Sequence, residues 1–89
     1  MRRYQEPAKV RLTEGVPVMF VAWNRPYQVE EVLFYWEESE PWWTPENASK
    51  PWEELRVRHY QVVARRLRAA EVELVQRGAR GWFVEGVAD

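Results

Sequence analysis

Residues 25–43 read RPYQVEEVLFYWEESEPWW, and the interpretation of the whole chain depends on this stretch. Tyr27 and Val29 alternate with polar residues, which is the period-two pattern of a strand that buries one face. After the two glutamates that follow, the alternation slips by one position. The same face then carries three large apolar residues: Val32, Phe34 and Trp36. One extra residue within a strand is typical of a β-bulge, which bends the strand, so residues 25–36 are interpreted as the long, bent strand of a small curved sheet.

Shorter apolar segments supply further strands on both sides of this one. Residues 9–13 and 16–23 read as two strands joined by a Glu-Gly turn, and residues 82–87 read as the last strand. Trp23, at the end of the second, is expected to close one end of the sheet. Residues 1–7 are expected to form a flexible leader.

Residues 37–51 predict a long loop rich in proline and tryptophan. Pro41, Pro45 and Pro51 punctuate it, and Trp42 and Trp43 stand side by side within it. Polar segments of this length inside a small domain are usually functional or disordered. The two tryptophans argue for a structured, functional loop.

Residues 52–76 fit two patterns. Pro51, two early glutamates and apolar residues near helical spacing favour an amphipathic helix, which would make the fold α+β. Strands at 57–64 and 70–76, joined by a turn at 65–69, would instead form a hairpin and make the fold mostly β. Periodicity and helix propensity leave both structures open, with a slight preference for the helix.

Composition indicates one small globular domain spanning residues 1–89. Aromatic residues make up 15% of the chain, enough large side chains to fill a compact core. There is no cysteine and only one histidine, and no stretch is long and apolar enough to cross a membrane. We therefore expect a cytoplasmic protein that has no membrane partner. The abundance of arginine and the absence of isoleucine are typical of a GC-rich bacterium and hint at a thermophile.

Charge is unevenly distributed although the net charge is only −1. Residues 30–54 contain eight glutamates and a single lysine, whereas residues 56–80 contain seven arginines and two glutamates. Pairing of these blocks across neighbouring strands is the simpler expectation. The alternative is that they remain separate acidic and basic surfaces that steer a charged partner.

The last part of the chain carries three motifs in the order of a known family. These are Trp42-Trp43-Thr44-Pro45, then Tyr60-Gln61-Val62-Val63, then Gly81-Trp82-Phe83-Val84-Glu85-Gly86-Val87-Ala88-Asp89. They resemble the C-terminal tail of ImuB-like proteins, catalytically inactive relatives of Y-family polymerases that act in bacterial mutagenic repair. Ala88 departs from the aromatic residue usual before the final aspartate, and the polymerase body is absent.

The front half is similar to small stand-alone actinobacterial and Thermus-type proteins of unassigned function. Residues that carry this likeness include Gly15, Pro17, Phe20, Trp23, Arg25, Tyr27, Val29, Val32 and Trp36. Together the resemblances imply a role linked to DNA-damage tolerance. They also favour strand–turn–strand over residues 57–76, although the turn at 65–68 lacks the family's glycine. The expected fold is therefore mostly β: a small, strongly bent antiparallel sheet of five or six strands, barrel-like in form.

Catalytic and cofactor chemistry is not indicated. Ser39, Ser49 and His59 stand in no nucleophile-elbow or glycine-rich context, and His59 is expected on the outer face of its strand. Adjacent glutamates on a strand point to opposite faces, which makes poor acid–base pairs. The sequence predicts no enzyme, no metal site and no cofactor.

Binding is the better hypothesis. Proline-braced tryptophans make good interface anchors, so the predicted partner-binding residues are Trp42, Trp43, Pro45, Arg56 and Arg58. The partner would be a protein, in the setting of the resemblance a mutasome or polymerase component, or a second copy of this chain. The alternative is a single-stranded nucleic acid held by basic and aromatic residues: Arg65, Arg66, Arg68 and Tyr60.

Overall fold

Six strands form most of the protein in the computed structural model, which describes residues 1–88. The elements in chain order are β1 (Arg2–Thr13), β2 (Val16–Ala22), β3 (Arg25–Ser39), α1 (Trp52–Leu55), β4 (Arg56–Arg65), β5 (Ala69–Arg77), a 3₁₀ turn (Gly78–Arg80) and β6 (Trp82–Ala88). Strands account for 68% of the chain, which confirms a mostly β fold.

The strands pair in sequence order, and all pairs are antiparallel. β1 also pairs with β6, from Arg2 opposite Val87 to Ala8 opposite Trp82, so the sheet closes into a ring. The barrel-like sheet expected from the alternation is therefore confirmed. Residues 57–76 form the β4–β5 hairpin, and helix is limited to the single turn of α1, so the α+β alternative is wrong.

β3 is the longest strand and contains two irregularities rather than one. Its pairing with β4 shifts between Val29 and Glu31, as the sequence predicts, and again between Val32 and Phe34. The second shift reverses which residues face inward. Phe34, expected in the core, is 66% exposed, and Trp36 packs instead on the outer face of the sheet.

The core fills the inside of the ring. Each strand contributes alternate residues, and the fully or nearly buried ones are Phe20, Ala22, Tyr60, Val62, Ala64, Val72, Leu74 and Val84. The pattern of β4 decides this arrangement, because Tyr60, Val62 and Ala64 share one face at strand spacing. A helix over the same residues would spread these three side chains around its axis.

A second, smaller layer is buried outside the ring. Val57 and His59 of β4 and Val75 of β5 point away from the core, yet are nearly inaccessible to solvent. The Trp36 indole stacks on the His59 ring with centroids 4.7 Å apart. β4 and β5 are therefore covered on both faces, which explains why their apolar residues do not follow one simple alternation.

Two expected segments differ from the structure. Residues 2–7 are not a flexible leader, because they belong to β1 and pair with β6, and Tyr4 packs edge-on against Trp23. The long loop begins at Glu40 rather than at residue 37, because β3 continues to Ser39 opposite Arg56. The loop of residues 40–51 is called the Trp loop below.

Candidate functional site

The Trp loop is held at its base and through its middle by hydrogen bonds. The Glu40 amide donates to the Leu55 carbonyl at 2.8 Å, which joins the two ends of the loop. Within it, the Pro41 carbonyl accepts from Asn47 Nδ2 at 2.8 Å and from Thr44 Oγ1 at 3.2 Å. The loop is therefore a defined structure rather than a disordered connection.

The two tryptophans of this loop project into solvent. Trp42 is 65% exposed and Trp43 is 67% exposed, and their rings meet edge to face with centroids 5.7 Å apart. Pro45 is exposed in the same loop. Large aromatic surfaces of this kind cost free energy in water unless a partner covers them.

A third exposed tryptophan, Trp52, lies in α1. The Arg56 guanidinium lies 5.1 Å from the centre of its ring, at cation–π distance, and also forms an ion pair with Glu37. Hydrogen bonds from Arg56 and from the Tyr35 hydroxyl lower the pKa of Glu37 to about 2. The Arg56 guanidinium is therefore engaged by two groups of the same chain, the Glu37 carboxylate and the Trp52 ring.

The acidic and basic blocks largely neutralise each other in the fold. Ion pairs join neighbouring strands and the loop base: Glu30–Arg65, Glu37–Arg56, Glu40–Arg77 and Glu40–Arg80. This confirms the simpler of the two expectations. Within residues 1–88, the carboxylates left outside any ion pair in the loop region are Glu46, Glu53 and Glu54.

Arg58 lies near Arg56, because both line a hollow of about 200 Å³ with Glu53 of α1. Arg58 also lines a hollow of about 380 Å³ together with Tyr35, Tyr60 and the residues around Gly15. Of the five predicted partner-binding residues, Trp42, Trp43 and Pro45 share the Trp loop. Arg56 lies at its base, beside Trp52.

Among the predicted nucleic-acid residues, Arg65, Arg66 and Arg68 lie together at the end of β4 and in the β4–β5 turn, and Tyr60 lies apart from them. Tyr60 is only 6% exposed and its hydroxyl donates to the Gly15 carbonyl at 3.3 Å, so its ring is not available to stack on a base. Arg65 is paired with Glu30 at 3.0 Å. Arg66 and Arg68 lie in the exposed β4–β5 turn, where Arg68 borders an aromatic cavity.

That cavity, at the opposite end of the ring from Arg58, was not predicted as a site. Tyr4, Phe20, Trp23 and Tyr27 line it. Trp23 lies at this end of the sheet, but it is 38% exposed and borders an open cavity rather than closing the end. Its residues come from all six strands and from the β2–β3 and β4–β5 turns. No sequence signal singled out this cavity, because aromatic residues are no more frequent in the first 27 residues than in the whole chain.

His59 is packed against the side chains of Trp36 and Glu38. Its Nε2 lies 3.0 Å from Glu38 Oε2, and its buried Nδ1 lies 3.9 Å from Glu73 Oε1 without a hydrogen-bond partner. The stacked Trp36 covers the imidazole. Among residues 1–88, no three His, Cys, Asp or Glu side chains are grouped so as to hold a metal ion.

In the same residues no helix has the length and apolar character needed to cross a bilayer. Comparison with protein-family models, with curated proteins and with solved structures finds no significant match to this chain. The likeness to the ImuB tail therefore stays a prediction.

Proposed function

We propose that this protein is a non-enzymatic interaction module that binds a protein partner through the Trp loop. The observation that carries the proposal is the pair of adjacent, solvent-exposed tryptophans in a loop fixed by its own hydrogen bonds. Tryptophan is among the residues that most often dominate binding energy at interfaces. A loop that is ordered before binding also loses less entropy when the complex forms.

The charge near the loop indicates which kind of partner surface would be complementary to it. Glu46 lies in the Trp loop, and Glu53 and Glu54 follow Trp52 in α1; none of the three forms an ion pair within the described residues. A complementary surface would offer an apolar groove for Trp42 and Trp43, with lysines or arginines at its rim. By the resemblance of the sequence motifs, a component of the DNA-damage-tolerance machinery is the first partner to test.

The test is a pull-down from the native host, followed by affinity measurement with the purified partner. The variant Trp42→Ala plus Trp43→Ala is expected to weaken binding by about 30-fold or more per tryptophan, as interface hot spots do. Leu67→Ala is the matched control, because Leu67 is 84% exposed but lies in the β4–β5 turn. A partner that binds the double variant and the wild type equally well would contradict the proposal.

A second copy of this chain is an alternative occupant of the same surface. Beyond Gln28, β3 pairs only with β4 among the described residues, so its other edge is also open to a strand from a second copy. Sedimentation velocity over a range of concentrations separates the two cases. If the wild type self-associates and the tryptophan double variant does not, the Trp loop is a homodimer interface. A second copy of this chain would then take the place of the heterologous partner in the proposal.

A further inference from the structure

The aromatic cavity at the other end of the ring has the form of a binding site for one planar ring. Its volume is about 270 Å³. This lies just below the range of roughly 300–1,000 Å³ usual for pockets that hold drug-sized ligands. Phe20 and Tyr27 are stacked, with centroids 4.9 Å apart and planes inclined by 12°. Tyr4 and Trp23 are each 38% exposed, so a ligand has access to both rings.

The backbone at Trp23 is strained. Trp23 and Asn24 form a two-residue turn between β2 and β3 with positive φ at both residues, 51° and 59°. Such turns favour Asn or Gly, and a bulky residue in the left-handed region is uncommon and costly. Strain of this kind persists where surrounding contacts impose it, and it clusters at functional sites.

Two contacts hold Trp23 in this conformation. Its amide donates to Glu6 Oε2 at 3.1 Å, and its indole meets the Tyr4 ring edge to face at 5.2 Å. Glycine would satisfy the backbone at lower cost. Compared with glycine, tryptophan adds a large aromatic surface beside the cavity.

The charge at this end of the ring is basic. Arg68 lines the cavity, Arg66 lies in the same exposed turn, and Arg25 follows directly after the Trp23-Asn24 turn. Of the nearby carboxylates, Glu30 is paired with Arg65, whereas Glu6 accepts from the neutral Trp23 amide and neither it nor Glu71 forms an ion pair within the described residues. Arg68 is the charged side chain that lines the cavity itself. An anionic group attached to a planar ring therefore complements this site.

We propose that the cavity binds the unstacked base of a nucleotide, with the base against Trp23 and Tyr4 and a phosphate near Arg68. Aromatic side chains beside arginine are the usual means by which proteins hold single-stranded nucleic acids. This site is separate from the Trp loop, so its test and that of the protein partner can fail independently.

The experiment measures fluorescence anisotropy of a labelled single-stranded oligothymidine at low and moderate salt. Wild-type protein is expected to bind at low salt and to lose affinity as salt rises. Trp23→Gly is expected to weaken binding about tenfold, from the loss of one stacking surface. Relief of the strained backbone partly offsets the lost Tyr4 contact, and a circular dichroism spectrum checks that the variant is folded. Arg68→Gln is expected to reduce the salt slope of log Kobs by about 0.7, the share of one phosphate on a single strand.

Two controls make the result specific. Arg58→Gln removes an arginine at the opposite end of the ring, and Trp42→Ala removes an exposed tryptophan elsewhere; both should retain the slope or the affinity that the cavity variants lose. Competition by adenosine monophosphate would identify free nucleotide as a ligand of the same site. If adenosine monophosphate does not compete but the oligonucleotide still binds, the ligand of the site is single-stranded nucleic acid rather than free nucleotide. Absence of binding at low salt, equal binding of duplex DNA, or unchanged binding by both cavity variants would overturn the proposal.

Discussion

Gly78 packs closely against α1, the helical turn that follows the Trp loop. Its φ is +47°, and a Cβ placed there would lie 2.1 Å from the Glu54 carbonyl oxygen of α1. We expect Gly78→Ala to lower the free energy of unfolding by about 2–4 kcal/mol, from left-handed strain together with the clash. Gly15→Ala is the matched control, because Gly15 has φ +79° and no atom within 4 Å of a Cβ. Urea denaturation of both variants measures the difference, and equal losses would mean that contact with α1 is unimportant.

The Arg77–Glu85 pair is the best-formed ion pair of the outer layer. Arg77 Nε and Nη2 donate to the two carboxylate oxygens of Glu85 at 2.5 and 2.7 Å, and this bonding raises the pKa of Arg77. Glu85 is only 8% exposed. We expect Glu85→Gln to destabilise the fold by about 2–3 kcal/mol, somewhat less than a fully buried pair, because Arg77 retains solvent contact. Adding Arg77→Met to Glu85→Gln should cost less than the sum of the two single changes, and strict additivity in a double-mutant cycle would contradict direct coupling.

Glu37 makes a pH-dependent contribution to stability. Because the folded-state pKa is lowered to about 2 from an ordinary value of 4.5, the stabilisation is complete above pH 4.5 and is lost as the pH falls toward 2. The effect should be small, since the pair is solvent-accessible and screened by salt. Thermal midpoints measured across this range should fall more steeply for the wild type than for Glu37→Gln. Parallel curves would show that the Arg56 and Tyr35 contacts do not persist in solution.

At the scale of elements, the Trp loop and the outer layer use tryptophan differently. Trp42 and Trp43 are exposed, whereas Trp36 is half-buried and stacked on His59. The double variant Trp42→Ala plus Trp43→Ala should therefore change the free energy of unfolding by no more than about 0.5 kcal/mol, as exposed positions usually do. Trp36→Ala should cost at least about 2 kcal/mol through lost burial and an uncovered imidazole. Denaturant titration tests both, and a large loss in the double variant would show that the loop tryptophans stabilise the fold rather than await a partner.

At the scale of the whole molecule, closure of the ring depends on the first residues of the chain. Residues 2–8 supply the pairs that join β1 to β6, and Tyr4 packs on Trp23. Deleting residues 1–7 should therefore lower the unfolding midpoint sharply or abolish cooperative unfolding, because a small domain has only about 5–15 kcal/mol of net stability. Circular dichroism during urea denaturation, with a variant lacking only Met1 as control, measures this. An unchanged midpoint would show that residues 1–7 contribute nothing to stability, as expected of a flexible leader.

Local sequence patterns located most strand positions, but over residues 52–76 they left helix and hairpin open, and the mostly β prediction depended on the family resemblance. Period-two alternation, β-branched residues and turn residues are local signals, and they located the β1–β2 turn at Glu14-Gly15, the bulge after Val29 and the start of β6. Trp42 and Trp43 were also recognisable as interface candidates, because a proline-rich polar loop offers them little core to enter. Burial of Tyr60 followed from its alternation with Val62, which argued against the role assigned to it in nucleic-acid binding.

Only the tertiary structure decided which side of the sheet each later residue of β3 faces. A second bulge near Phe34 reverses the two faces, because the side-chain period of a strand is two and a one-residue shift moves every following side chain to the other side. Ring closure has the same origin: pairing of β1 with β6 joins residues about 80 positions apart, and no local pattern specifies it. The cavity at the end of the ring combines Tyr4, Trp23 and Arg68 for this reason. Their proximity results from strand register and closure, which are properties of the assembled sheet rather than of any one segment.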